Sequence, residues 1–435
     1  MSEQKVDESL LGHAVDLLTA RYDANKDFNE YLDSDDPVSL GGTSVYPRSK
    51  VLFWVDPEGY EADKVAWESD AIEAKHQDAI KLVQHNTCVP QFTDLLQAAE
   101  RGRVVPFVGA GLSKPLGMPL WGEALGQLLN RMHGIDKDAV EPLIDSGQFL
   151  LAAQKLAAHD AAVTSAFIRN TYRAQQLKLK AGALQHLPRF ARGCIVTTNF
   201  DDAIEKTYEE AIFHGKPMDF KAYMHGTQEH NFFSRMVRGD RCLLKLHGDA
   251  ESDATHILTE QQYESAYGKS PAFDFHKPLP KALRQIYISQ SLLFLGCGLD
   301  QDWTMELFKA AKESDAYQVP SHYAILEAPK TGRQRAAKEA QLLDLNIQPI
   351  WYDYGAHQMV ERLVELIADV SEKRFVFKAW GTFTCLKATL NNWPPLGSRT
   401  PAGTTAAAQT SPPIATRPSV ATTARCCYSA SCAKR

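Results

Sequence analysis

Four times along this chain a short, mainly apolar run stops abruptly at small or polar residues. Val104–Val108 (VVPFV) runs into Gly109-Ala110-Gly111-Leu112-Ser113, and Cys194–Thr197 (CIVT) into Thr198-Asn199-Phe200-Asp201-Asp202. Leu243–Leu246 (LLKL) meets His247-Gly248-Asp249, and Leu292–Leu295 (LLFL) meets Gly296-Cys297-Gly298-Leu299-Asp300. Runs of four or five apolar residues without alternation predict strands buried on both faces, hence a parallel sheet between helices. Tyr323–Leu326 and Ile347–Trp351 repeat the pattern, and helical patterns, among them Met359–Val370, separate the runs. The expected fold class is α/β, a Rossmann-like parallel sheet with helices on both faces. Such sheets bind ligands at the C-terminal ends of their strands, where all four polar strings fall.

Three regions are expected. Residues 1–92 read as a mainly helical segment: Leu10, Leu11, Val15, Leu17 and Leu18 recur at helical spacing, and Ala66–Val83 is a second helix. Lys50–Val55 (KVLFWV) reads as a strand closed by a turn at Asp-Pro-Glu-Gly, 56–59. Residues 93–372 are the α/β domain. Residues 373–435 read as a low-complexity, disordered tail, dominated near its end by Ala, Thr, Ser and Pro. A reading-frame shift or fusion would also produce so abrupt a change.

Charge narrows the function. The net charge is −6, yet residues 376–435 hold seven basic residues and no acidic one. That leaves 1–375 at 40 Lys+Arg against 53 Asp+Glu, a net −13. An acidic body disfavours direct nucleic-acid binding through the phosphate backbone. No apolar run reaches 18 residues and the start, MSEQKVDESL, is polar. No membrane span and no secretory leader are therefore expected, and a cytoplasmic location is. Of the eight cysteines none forms a Cys-x-x-Cys pair, so no zinc site of that kind and no metal is expected.

Each polar string has two readings. Gly109, Ala110, Gly111 and Ser113, followed by a helix whose positive end lies nearby, have the parts of a diphosphate cradle; the bland reading is a glycine-rich turn. The string is neither G-x-G-x-x-G nor a Walker A loop. Asn199 offers an amide and Asp201 a carboxylate, but Asn199, Asp201 or Asp202 also suits the cap of a helix at Asp202–Glu210. His247 at the sheet edge can act as a general base or be structural. Gly296 and Gly298 read as a second nucleotide contact or a tight turn, with Asp302 capping a helix at Trp303–Lys312.

Taken in order, the four strings resemble the sirtuin-like superfamily. Gly109-Ala110-Gly111-Leu112-Ser113 matches its opening loop, and Gly117-Met118-Pro119-Leu120-Trp121 is similar to its next segment. Thr197-Thr198-Asn199-Phe200-Asp201 resembles its Thr-Gln-Asn-Ile-Asp string, His247-Gly248 its catalytic His-Gly, and Gly296-Cys297-Gly298-Leu299 its late glycine turn. The resemblance covers about residues 93–370. The zinc module with two Cys-x-x-Cys pairs is missing, the Pro-Asp-Phe-Arg end of the nicotinamide loop is Pro119-Leu120-Trp121, and Thr198 replaces a glutamine. This pattern looks like the divergent bacterial branch of anti-phage defence systems.

That resemblance implies a NAD+ hydrolase releasing nicotinamide and ADP-ribose, with NAD as substrate and no metal. It implies Asn199 and His247 as catalytic residues and Gly109, Ala110, Gly111, Ser113, Thr198, Asp201, Gly296 and Gly298 around the nucleotide. It further implies control by homo-oligomerisation, through the N-terminal helices, or by a co-encoded translocase ATPase or other defence partner. The competing readings are a NAD-dependent deacylase or ADP-ribosyltransferase, disfavoured by the missing zinc module, and a non-enzymatic NAD- or ADP-ribose-binding module. A Rossmann dehydrogenase lacks its third glycine here.

Overall fold

The computed structural model describes residues 8–377, apart from 43, 174–178, 180, 214, 229–230, 301–302 and 315–317. The chain divides into two compact units, Met1–Leu386 and Lys387–Arg435, and every described residue belongs to the first. The predicted tail, beyond its first residues, and the Asp302 cap lie outside the described residues.

Seven parallel strands form the central sheet. They are β1 Val104–Val108, β2 Cys194–Thr197, β3 Ala222–His225, β4 Cys242–Lys245, β5 Ser291–Leu295, β6 His322–Glu327 and β7 Ile347–Tyr352. Their order is β7-β6-β5-β1-β2-β4-β3. Each neighbouring pair is parallel, with Val108 beside both Leu295 and Thr197, and Thr197 beside Lys245. All residues of β1, β2 and β4 are buried, which the uninterrupted apolar runs require. The six strands read from those runs are present, and β3 is a seventh. Ala222-Tyr223-Met224-His225 is an edge strand with alternating burial, so it carries no apolar run to mark it.

The sheet packs helices on both faces, and two further clusters flank this core. One joins the helices Trp121–Arg131, Phe149–His159 and Ala161–Tyr172 through Leu125, Leu128, Leu156 and Phe167. Phe200, Ala250 and Leu258 pack into the same cluster, so it sits against the segments that follow β2 and β4. The other is small and N-terminal: Phe28, Leu32, Phe53 and Tyr60.

Residues 48–59 correct the sequence reading. Lys50–Val55 is not a strand but part of a helix, Arg48–Val55, that buries Ser49 and Phe53, one turn apart, and pairs with no strand. Aromatic and branched residues suit a strand only where a sheet edge receives them. The supposed turn at 56–59 starts the long helix Pro57–His85: Asp56 accepts the Gly59 N–H (3.0 Å) and Pro57 takes the first position. The first helix, Glu8–Asp23, forms as expected, but its leucines face outward, Leu17 being 72% exposed.

The far half of the long helix, through Ala79, Ile80 and Val83, joins the sheet's own core. There His76 Nε2 lies 2.7 Å from the buried Asp369 carboxylate on the helix Gln358–Ser371. Lys75 (3.1 Å), Arg374 (3.2 Å) and Arg189 bond the same carboxylate. Burial raises the Asp369 carboxyl, but His76, Arg189 and Lys75 hold it well below the usual carboxylate range.

Candidate functional site

The chain leaves β1 and β5 side by side, and three glycines lock the two exits together. Gly109 N–H donates to the Leu295 carbonyl (2.8 Å) and Gly111 N–H to the Gly296 carbonyl (3.0 Å). A Cβ on Gly109 would come within 2.5 Å of the Gly296 oxygen; on Gly296, where φ is +67°, it would meet Leu112 N at 2.4 Å. These glycines are explained by backbone meeting backbone. The Leu112 and Ser113 N–H groups turn back to Gly109 and Ala110, so the loop does not present a row of free donors. The following α-helix does not start from the loop itself. Two 3-10 turns, Ala110–Leu112 and Lys114–Leu116, come first, and the next helix begins at Trp121. Gly298 stands apart: its carbonyl accepts from Lys338 Nζ (2.7 Å).

Beyond β2 the chain is held more tightly. Thr197 Oγ1 donates to the Val108 carbonyl (2.9 Å) and accepts the Asn199 N–H (3.0 Å). The Thr198 N–H also reaches Val108 (3.1 Å). The buried Asn199 amide donates from Nδ2 to the Gly109 carbonyl (3.2 Å) and to Ser113 Oγ (3.0 Å). Its Oδ1 is buried and has no protein partner. A buried acceptor without a donor is costly in a finished core and suits a position kept for a ligand or water. Ser113 in turn bonds the Asp201 carboxylate, which also accepts the Ala203 N–H (3.1 Å). Asp202 is the N-cap of the helix Ala203–Glu210, without a side-chain cap bond, while Asp201, one residue before it, takes the Ala203 N–H and holds Ser113. Burial pushes its carboxyl up, against Lys245, Ala203 and Ser113.

His247 follows β4. Gly248 must follow it, because at φ +96° a Cβ would sit 2.2 Å from the Thr255 carbonyl. Burial pushes the imidazole down to about 4, opposed by a hydrogen bond to the Thr198 backbone. The ring is therefore neutral near pH 7. The Tyr263 hydroxyl lies 2.7 Å from Nε2 and 3.4 Å from Nδ1 of the ring. Tyr263, on the helix Glu260–Tyr267, lies edge-on to Trp303 and stacks on Tyr267.

The structure thus brings Gly109, Ser113, Asn199 and Asp201 into one hydrogen-bonded cluster, with Gly111 and Gly296 as its floor and His247 joined through Thr198. Ala110 opens the first 3-10 turn, half-buried beside it. Sequence reasoning missed two residues here. Tyr263 is one aromatic on an amphipathic helix and carries no signal. Lys245 does: a lysine inside Leu243-Leu244-Lys245-Leu246 has to be paired if the strand is buried. Its side chain is 0% exposed and its Nζ meets Glu205 (2.9 Å) and Asp249 (2.7 Å). Burial pushes its ammonium down, and those two carboxylates more than reverse it. Among the described residues no group of three or more His, Cys, Asp or Glu is arranged to hold a metal ion. Nor is any helix there long and apolar enough to cross a membrane.

Residues 193–350 match the family model of the SIR2-like domain. Over that span the chain is similar to the sirtuin-like family. Thr198, Asn199, Asp201, His247, Gly296 and Gly298 lie inside the matched span, and the Gly109–Ser113 loop lies before it. The chain is similar to the NAD(+) hydrolase ThsA of Acinetobacter baumannii (strain 532279), 28% identical over 236 residues. It is also 25% identical over 224 residues to the NAD(+) hydrolase ThsA of Bacillus cereus (strain MSX-D12). These stretches cover 53% and 51% of this chain but only 44% and 42% of the relatives, so less than half of either is matched.

Proposed function

We propose that this chain hydrolyses NAD+ at the C-terminal edge of its sheet, releasing nicotinamide and ADP-ribose. The observation that carries the reading is Asn199: a buried amide, anchored by its nitrogen on Gly109 and Ser113, whose Oδ1 is left open one loop from a neutral histidine. That both relatives are NAD(+) hydrolases supports it.

The bond that breaks joins nicotinamide to C1′ of its ribose. Nicotinamide leaves as a neutral molecule, carrying the electron pair, and the sugar passes through an oxocarbenium-like state. Positioning and electrostatics then supply most of the catalysis. Asn199 Oδ1 orients the attacking water or the ribose. Water adds to C1′, and its proton passes to Nε2 of His247, which exchanges its Tyr263 hydrogen bond for one to the reacting group. The Gly109–Ser113 loop and Gly296 offer close backbone approach to the diphosphate rather than free N–H donors. Ala110 and Thr198 border that approach, Gly298 lies apart from it on Lys338, and Asp201 supports the site by holding Ser113.

In the same reading the protein acts in the bacterial cytoplasm, depleting NAD on phage infection. It is held off by homo-oligomerisation or by a co-encoded partner such as a translocase ATPase. The test is chromatography of NAD incubated with wild type and with His247→Ala. Nicotinamide and ADP-ribose from wild type alone is the expected result. Equal release by a folded His247→Ala protein sinks the site assignment.

A further inference from the structure

We infer that Lys245 is a positioning residue, one that sets the distance between the Asn199 loop and the His247 loop. Its catalytic consequence rests on the function proposed above; its geometry does not. Nζ donates to the carbonyls of Phe200 (3.2 Å) and Asp201 (2.8 Å), to Glu205 Oε1 (2.9 Å) and to Asp249 Oδ2 (2.7 Å).

An ammonium has three N–H donors, so four acceptors already share them and none is left for a ligand. The side chain is wholly buried, which also keeps it from touching substrate. What remains is placement. Two acceptors belong to the residues directly after Asn199, and one lies two residues after His247. Glu205 belongs to the helix that starts behind Asp201. Thr197 and Lys245 are register partners on adjacent strands, so a single atom at the strand end gathers both exits. The Ala250 N–H to the Phe200 carbonyl (3.0 Å) supplements this tie. Reacting groups displaced by about 1 Å can lose on the order of 100-fold in rate, so a tie of this kind bears on turnover without joining the chemistry.

Two variants test this. Lys245→Arg keeps the charge, but its fork cannot place one nitrogen among all four acceptors. Lys245→Met with Glu205→Gln and Asp249→Asn removes the tie while leaving no unpaired charge. Hydrogen exchange and steady-state kinetics are measured on both beside wild type. The expected result is that 198–203 and 246–250 exchange at least about tenfold faster, together, while β1 and β5 are unchanged. With that, kcat falls at least about tenfold and KM moves less than about threefold. Wild-type exchange in both loops, or wild-type kcat in a folded variant with loosened loops, overturns the inference. So does a uniform rise in exchange across the sheet, which marks a merely structural lysine. Should wild type itself release no nicotinamide, the proposed function fails, and the exchange measurement still decides the placement of the loops.

Discussion

At the scale of single residues, the site depends on which side-chain atoms are already engaged. Asn199 spends its nitrogen on Gly109 and Ser113, so replacing it removes both the anchor and the open oxygen. Asn199→Ala is expected to lower kcat by about 100-fold or more, the usual loss for one preorganised polar group. Its folded state should persist, checked by thermal melting beside the rate assay. His247 makes a second prediction. Burial, opposed by a hydrogen bond to the Thr198 backbone, puts its folded value at about 4. The neutral ring is the form able to take a proton, so activity is lost only as pH falls through that low value. Initial rates should stay level from pH 7 to pH 5; a fall by half near the ordinary imidazole value of about 6.5 would contradict the burial argument. Asn199 and His247 stand out in the sequence because each follows an apolar run at a strand end. Lys245 was legible only in part, since a buried charge announces a partner without naming it. Tyr263 was not, because its contact with His247 depends on how a distant helix packs.

At the scale of elements, the glycine-rich turns illustrate how one motif serves two readings. The sequence placed Gly109, Gly111 and Gly296 beside a nucleotide; in the fold they first join the exits of β1 and β5. Gly102 gives a control, since its φ of +65° matches the +67° of Gly296 but its Cβ would meet nothing within 4 Å. Gly102→Ala is expected to cost about 1–2 kcal/mol for the left-handed backbone alone. Gly296→Ala should cost a further ~2 kcal/mol, since a methyl group there must displace Leu112 and Gly111. Urea midpoints of the two variants measure the difference, and equal losses would remove the interlock from the account. The strands were legible for the same reason the loops were ambiguous. A run buried on both faces is apolar except where a charge is paired, as Lys245 is, whereas a glycine is equally demanded by a neighbouring backbone and by a ligand. Lys50–Val55 misled because its residues favour a strand locally, and only tertiary placement left it without a sheet to join.

At the scale of the whole molecule, the question is what joins the N-terminal helices to the sheet. The hydrophobic share comes from Ala79, Ile80 and Val83, buried with the core. The polar share converges on Asp369, 0% exposed, which meets His76, Lys75, Arg189 and Arg374. Removing one member of a buried ionic cluster typically costs about 3–5 kcal/mol. Lys75 and Arg374 are partly exposed, so solvent takes up some of that loss, and the lower end, about 3 kcal/mol, is expected for Asp369→Asn near pH 7. The pH dependence follows from the sign of the shift. Asp369 is depressed in the fold relative to about 3.9 in the unfolded chain, so its contribution is complete above that value. Below it the unfolded chain takes up the proton first, and the contribution is lost as pH falls toward the folded value. Urea unfolding of wild type and Asp369→Asn should therefore differ by a constant amount from pH 7 to pH 5 and converge in strong acid. A gap that stays open in acid would place the stability of this junction in its packing and not in the carboxylate that gathers it.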